Sequence, residues 1–290
     1  MWTLPIPPRD GSSDDLVTAF KRSRPGTDAY TLNSSETTAI DALYDRYDEL
    51  NGRRHPDLAV PGFEEVLTQA IIRAYNETYP GGRIFELRNR LKLAAERCPF
   101  CGFAEISDLD HHLPVSEFGA LAVYRRNLVP SCGPCNNKKR TAGRGNSAEE
   151  LIHAYFDQIP NEKFFVATAR LAQGALVVTL RVERSQSMSV ELYERLKFQV
   201  ERLDLSRRYR AAVNTLLLEQ EAGFELAFGQ GDPERLSAFL DLSAEKYAMR
   251  FGLNDWRTAL LTSLAAESSF CAGGFRQALG AAGRASTNGP

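Results

Sequence analysis

Long apolar runs are absent from this 290-residue chain. No stretch approaches the roughly 18 consecutive apolar residues of a membrane-spanning helix, which argues against a membrane protein. The amino-terminal run Met1-Trp2-Thr3-Leu4-Pro5-Ile6-Pro7-Pro8 has no basic start and no long apolar core. It therefore lacks the pattern of a secretory signal, and a cytoplasmic location is expected. Internal repeats of fixed period are missing too, so a solenoid or propeller is not indicated. Net charge is nearly absent, at −2, and cysteines number only five. With 43% hydrophobic and 25% charged residues, neither disorder nor a collagen-like fibre fits.

The small net charge conceals an uneven distribution. Residues 118–148 carry six basic residues (Arg125, Arg126, Lys138, Lys139, Arg140 and Arg144) and no acid, whereas the segments on both sides are net acidic. A basic window of this kind is either a solvated face or a track for phosphates.

Periodicity divides the rest. The opening to about Asn33 is rich in Pro, Gly, Ser and Asp and reads as an irregular arm. Ile40, Leu43, Tyr44 and Tyr47 then follow helical spacing up to a stop at Asn51-Gly52. Leu67, Ala70, Ile71, Ala74 and Tyr75 predict a second helix, and Ile84 through Ala95 a third. Leu176, Val178, Leu180 and Val182 alternate with Val177, Thr179, Arg181 and Glu183, which with Phe164-Phe165-Val166 predicts a hairpin turning near Gln173-Gly174. From Ser189 the pattern is helical again, punctuated at Gly229–Pro233 and Gly252–Asn254. The expected regions are helical residues 1–80, a central core at 81–148, and a hairpin with helices at 149–290.

Four cysteines form two C-x2-C pairs, Cys98–Cys101 and Cys132–Cys135, separated by thirty residues. Each such turn points two thiolates at one ion, and two of them complete a tetrahedral four-cysteine shell suited to structural zinc. Disulfides fit poorly with a cytoplasmic chain of this size, and a redox motif leaves the matched second pair unexplained. Cys271, alone among helical residues, reads as a packed core thiol.

Between the knuckles lies Leu109-Asp110-His111-His112-Leu113-Pro114, with a short strand expected over Ile106–Asp110, and then Asn127-Leu128-Val129-Pro130. Cys135 is followed at once by Asn136-Asn137-Lys138-Lys139-Arg140. Asp110 and Asn136 offer hard oxygen ligands suited to magnesium or manganese. An imidazole titrating near 6.5 can accept a proton at neutral pH. His111 and His112 are rivals for that task, since neighbouring strand residues face opposite ways.

An acid-His pair, an Asn-Leu and a Cys-Asn-x-x-Lys, in that order between two knuckles, resemble the HNH family of endonucleases over residues 98–142. The resemblance implies an α+β fold: a mostly helical chain around a small central ββα-metal (treble-clef) core, with a short β-hairpin after it. It implies metal-dependent hydrolysis of DNA phosphodiesters, with zinc as a staple and magnesium or manganese at Asp110 and Asn136. The family register places His111 as general base, Asn127 as a structural brace of the loop that orients it, and Lys139 three residues after Asn136. The same resemblance implies an ATPase partner in bacterial anti-phage or restriction systems. The helical arms are larger than so small a core needs, so a docked partner or a second copy is expected on them. Arg125, Arg126, Lys138, Lys139, Arg140 and Arg144 are then expected along the DNA backbone. A zinc-knuckle module that binds nucleic acid without cutting it is the alternative.

Overall fold

Gly11, at φ 73°, releases the chain into a helix that the amino-terminal composition hides. Helix α1 (Ser12–Phe20) buries Leu16, Ala19 and Phe20, the spacing of one helical face. The structure, a computed structural model, describes residues 3–22, 26, 28–140 and 149–286. It is a mixed α+β chain with two small antiparallel hairpins, and it divides into two compact units, Trp2–Ile159 and Pro160–Pro290.

In the first unit, Asn33 caps α2 (Ser34–Glu49) through a reciprocal box with Glu36, and the helix stops at Asn51 and Gly52, both at positive φ. Gly52 is required there: a Cβ would stand 2.3 Å from the His153 ring. A short helix α3 (Pro56–Ala59) leads to α4 (Glu65–Ala74), whose last turn tightens over Tyr75–Thr78, and then to α5 (Phe85–Leu93). These helices share one core, in which Leu16, Ile40, Tyr44, Ile71 and Leu87 pack with Leu109, Phe118 and Leu128 of the central segment. Residues on both sides of position 80 contribute to that core. The helices on one side of that position and the segment on the other bury each other, and residues 149–159 belong to the same unit.

The central segment supplies β1 (Asp108–His111) and β2 (Leu128–Ser131), paired antiparallel with Asp110 opposite Val129 and His111 opposite Leu128. Helix α6 (Gly133–Lys139) follows immediately.

In the second unit, β3 (Phe165–Ala172) and β4 (Ala175–Val182) form the predicted hairpin. Its two-residue loop, Gln173-Gly174, has φ 50° and 79°, the left-handed pair that matches strand twist. Helices α7 (Val190–Arg202), α8 (Leu205–Phe228), α9 (Pro233–Phe251), α10 (Trp256–Ala265) and α11 (Phe275–Ser286) complete the unit. Asp232 caps α9 and Asp255 caps α10, just past the glycines that punctuate the sequence. Cys271 is buried, as a core thiol should be. No helix among the described residues is long and apolar enough to cross a membrane.

Candidate metal centre and adjoining site

The first knuckle is a tight turn. The Gly102 N–H donates to the Cys98 carbonyl, and Gly102 sits at φ 72°. The second forms where β2 ends, with Cys132 directly before α6 and Cys135 within its first turn. Ser107 braces the second, its hydroxyl accepting from the Gly133 N–H. The Ser107 carbonyl in turn accepts from Arg88 and Lys92 on α5. That fixes two of the basic residues preceding the first knuckle as structural braces.

The four cysteines are free thiols, buried, with their sulfurs all within 4.8 Å of one another. Cys101 and Cys132 stand 3.9 Å apart, far beyond a disulfide and close to the ~3.8 Å edge of a tetrahedron with 2.3 Å metal–sulfur bonds. The cluster holds Cys132 below the ordinary thiol range through its sulfur neighbours, while burial lifts Cys98 above it. This donor set fits a structural metal such as zinc.

Between the knuckles in sequence, Asp110 is buried on β1. Lys139, on the last turn of α6, brings its ammonium to both carboxylate oxygens, at 3.1 and 3.3 Å, and donates to the His111 carbonyl at 2.6 Å. Burial raises the Asp110 pKa, and the charge of Lys139 opposes that rise. Asn136 lies three residues before Lys139, on the same side of α6 and half-buried. The Asp110–Lys139 pair thus fastens the helix that carries Asn136 onto the strand that carries Asp110.

His111 and His112 diverge as adjacent strand residues should. His111 Nε2 is 2.9 Å from the Ala122 carbonyl. A carbonyl only accepts, so Nε2 carries the proton and Nδ1 the lone pair. Among the described residues Nδ1 has no hydrogen-bond partner. The Tyr75 ring packs against the imidazole at 4.4 Å while its hydroxyl donates to the Leu109 carbonyl. Burial pushes the His111 pKa down to about 4, opposed by the Ala122 carbonyl and assisted by the positive charge of Lys139. His112 turns the other way, its ring 3.9 Å from that of the fully buried His153.

Asn127 is fully buried and holds the loop between the strands. Its amide donates to the Leu113 and Leu121 carbonyls, and its oxygen accepts from the Leu113 N–H and the Tyr47 hydroxyl. Leu121 immediately precedes the residue whose carbonyl orients His111. Neither the Ala122 carbonyl nor Tyr75 has a sequence signature: the carbonyl is main chain, and the tyrosine reads as one more apolar helix position.

The basic window splits. Arg125 is 6% exposed and donates to Asp15 and to the Pro8, Asp10 and Gly11 carbonyls. Arg126 donates to Asp48 and the Pro7 carbonyl. Both were expected on a phosphate track, but both bind the amino-terminal arm instead, because buried carbonyls and carboxylates there need donors. Lys139 is also withdrawn, at 3% exposure. Arg140 is exposed and Lys138 half-buried, and Arg144 lies outside the described residues. Arg125→Ala would strand Asp15, so a stability loss of about 3–5 kcal/mol is expected in urea unfolding. A loss under about 0.5 kcal/mol would contradict the brace assignment.

No family model matches the chain, and no solved structure matches it. Over 67 residues it is 36% identical to Protein ea31 of Escherichia phage lambda, a match that takes in 22% of this chain and 23% of that protein. The chain thus aligns with under a quarter of that relative's length.

Proposed function

We propose that this protein is a metal-dependent endonuclease of the HNH type acting on DNA. The reading rests chiefly on His111: a neutral imidazole held by the Ala122 carbonyl, its Nδ1 lone pair unengaged, one residue after Asp110 in the chain. Asp110 and Asn136 would hold a magnesium or manganese ion, since their oxygens are hard donors on neighbouring elements. When bound, such an ion stabilises developing charge on a phosphodiester. His111 takes the proton from an attacking water at Nδ1. Asn127 holds the Leu121 carbonyl, one residue before the carbonyl that orients His111, and Lys139 balances the buried Asp110 charge. Arg140 and Lys138 remain for phosphate contact. A working partnership with an ATPase in anti-phage defence is carried by the HNH resemblance alone.

The Lys139 ammonium already on Asp110 favours a second reading, a zinc-knuckle module that binds nucleic acid without cutting it. Plasmid incubation with magnesium, with and without EDTA, separates the two. Metal-dependent nicking or linearisation is expected, and metal-independent retention of DNA with no cleavage would instead establish the binder.

The depressed His111 pKa fixes a pH dependence. Protonation removes the base, and burial shifts that event below the 6.5 of a free imidazole towards about 4. The acid limb of the cleavage rate is therefore expected below pH 6. A limb at pH 6.5 or above would place the base elsewhere.

A further inference from the structure

The two edges of the β3–β4 hairpin are treated differently. A two-residue loop closes on a hydrogen-bonded pair, here Ala172 and Ala175, so alternate pairs along the ladder direct their main-chain groups outwards. On β3 the outward N–H groups are taken: Phe165 donates to Asn254 Oδ1 at 3.0 Å and Ala169 to Ser263 Oγ at 2.8 Å. Across the ladder Phe165 faces Val182 and Ala169 faces Val178, and the same alternation makes Leu176, Val178 and Leu180 outward-facing residues of β4. Among the described residues no hydrogen bond reaches the outward main chain of these three.

That open edge borders a groove of about 590 Å³, walled by Ala175–Leu180 on one side and by Tyr209, Arg210, Val213 and Leu217 of α8 on the other, with Leu279 of α11. All six consecutive strand residues line it, as happens when a strand presents its edge. The run Ala-Leu-Val-Val-Thr-Leu has no lysine, proline or other device that blunts an edge strand. Among the described lining residues Arg210 alone is charged. It is exposed, and no ion-pair partner is present for it among the described residues.

We propose that this groove docks an extended segment of a partner protein, which adds to β4 as a third strand and carries a carboxylate that meets Arg210. The unfilled main-chain row specifies a strand, because only another extended backbone repeats donors and acceptors at that spacing. The apolar walls call for β-branched or aromatic side chains at alternate positions. The lone guanidinium calls for Asp, Glu or a C-terminal carboxylate. The proposal is independent of the nuclease reading, since every residue in it lies in the second unit.

The test is selection of a random decapeptide library, free C-termini included, on the full chain. Enriched peptides are expected to alternate apolar residues with polar ones and to share an acid. Their binding should protect the Leu176, Val178 and Leu180 amides from hydrogen exchange, leaving Val177 and Thr179 unchanged. Val178→Pro removes an outward N–H that the ladder does not use, so the fold should persist while affinity falls about tenfold or more. Arg210→Glu, at an exposed position, should reverse the acid preference. The proposal is overturned by an absence of enrichment, by peptides indifferent to both variants, or by a doubled mass in sedimentation that Val178→Pro abolishes, which would assign the edge to a second copy.

Discussion

His111→Ala is expected to slow metal-dependent plasmid cleavage by about 10²–10⁴-fold, the usual contribution of a positioned general base. The expectation follows from a ring whose Nε2 is committed to the Ala122 carbonyl and whose Nδ1 is unengaged. The substitution removes one hydrogen bond and the Tyr75 packing contact, so circular dichroism and metal content should be preserved. His112→Ala forms the contrast. It removes a ring packed at a tilt against buried His153, so it should lower the melting temperature more than it lowers the rate per folded molecule. Full cleavage by the His111 variant, in purified and nuclease-free preparations, would end the assignment of the base.

Loss of a structural metal from the thiolate cluster is expected to be the other large effect. Structural zinc in small sites contributes about 10–16 kcal/mol, comparable to the whole stability of a typical domain. Zinc stripped by a chelator, or a Cys132→Ser chain, is expected to melt well below the intact protein. Hydrogen exchange should rise first at 98–111 and 128–139. The reason is local: β1, β2 and α6 are short, and a four-residue hairpin has little stability by itself. Helices α2 and α4, of 16 and 10 residues, are longer elements and should open later. One zinc per chain by elemental mass spectrometry is the matching measurement. A metal-free chain with an unchanged melt would show that the cysteines are merely packed.

What the sequence disclosed was chemistry compressed into short spacing. Two C-x2-C turns leave few geometries, and their sulfurs do gather. The strand alternation around Gln173-Gly174 likewise specified a hairpin, because a period of two and a left-handed loop pair act locally. Features that depend on distant partners were hidden. Helix α1 has only nine residues and holds because Leu16, Ala19 and Phe20 find a core made elsewhere. A run of arginines says nothing about which way each guanidinium faces, and Arg125 and Arg126 face inwards because Asp15, Asp48 and arm carbonyls await them. Lys139 was legible by spacing but its burial was not, since that required β1 to place Asp110 beneath the end of α6. Nor can linear composition report that the segments on either side of residue 80 share one interior.

The stitches from Arg125 and Arg126 to Pro7, Pro8, Asp10 and Gly11 span more than a hundred positions of chain. On a ribosome adding about 5–20 residues each second, the arm therefore waits roughly 6–25 seconds for the groups that secure it. During that interval its carbonyls bond water instead of the guanidinium groups, and the arm is open to chaperones and proteases. The earliest-made stretch of this unit is thus among the last to settle.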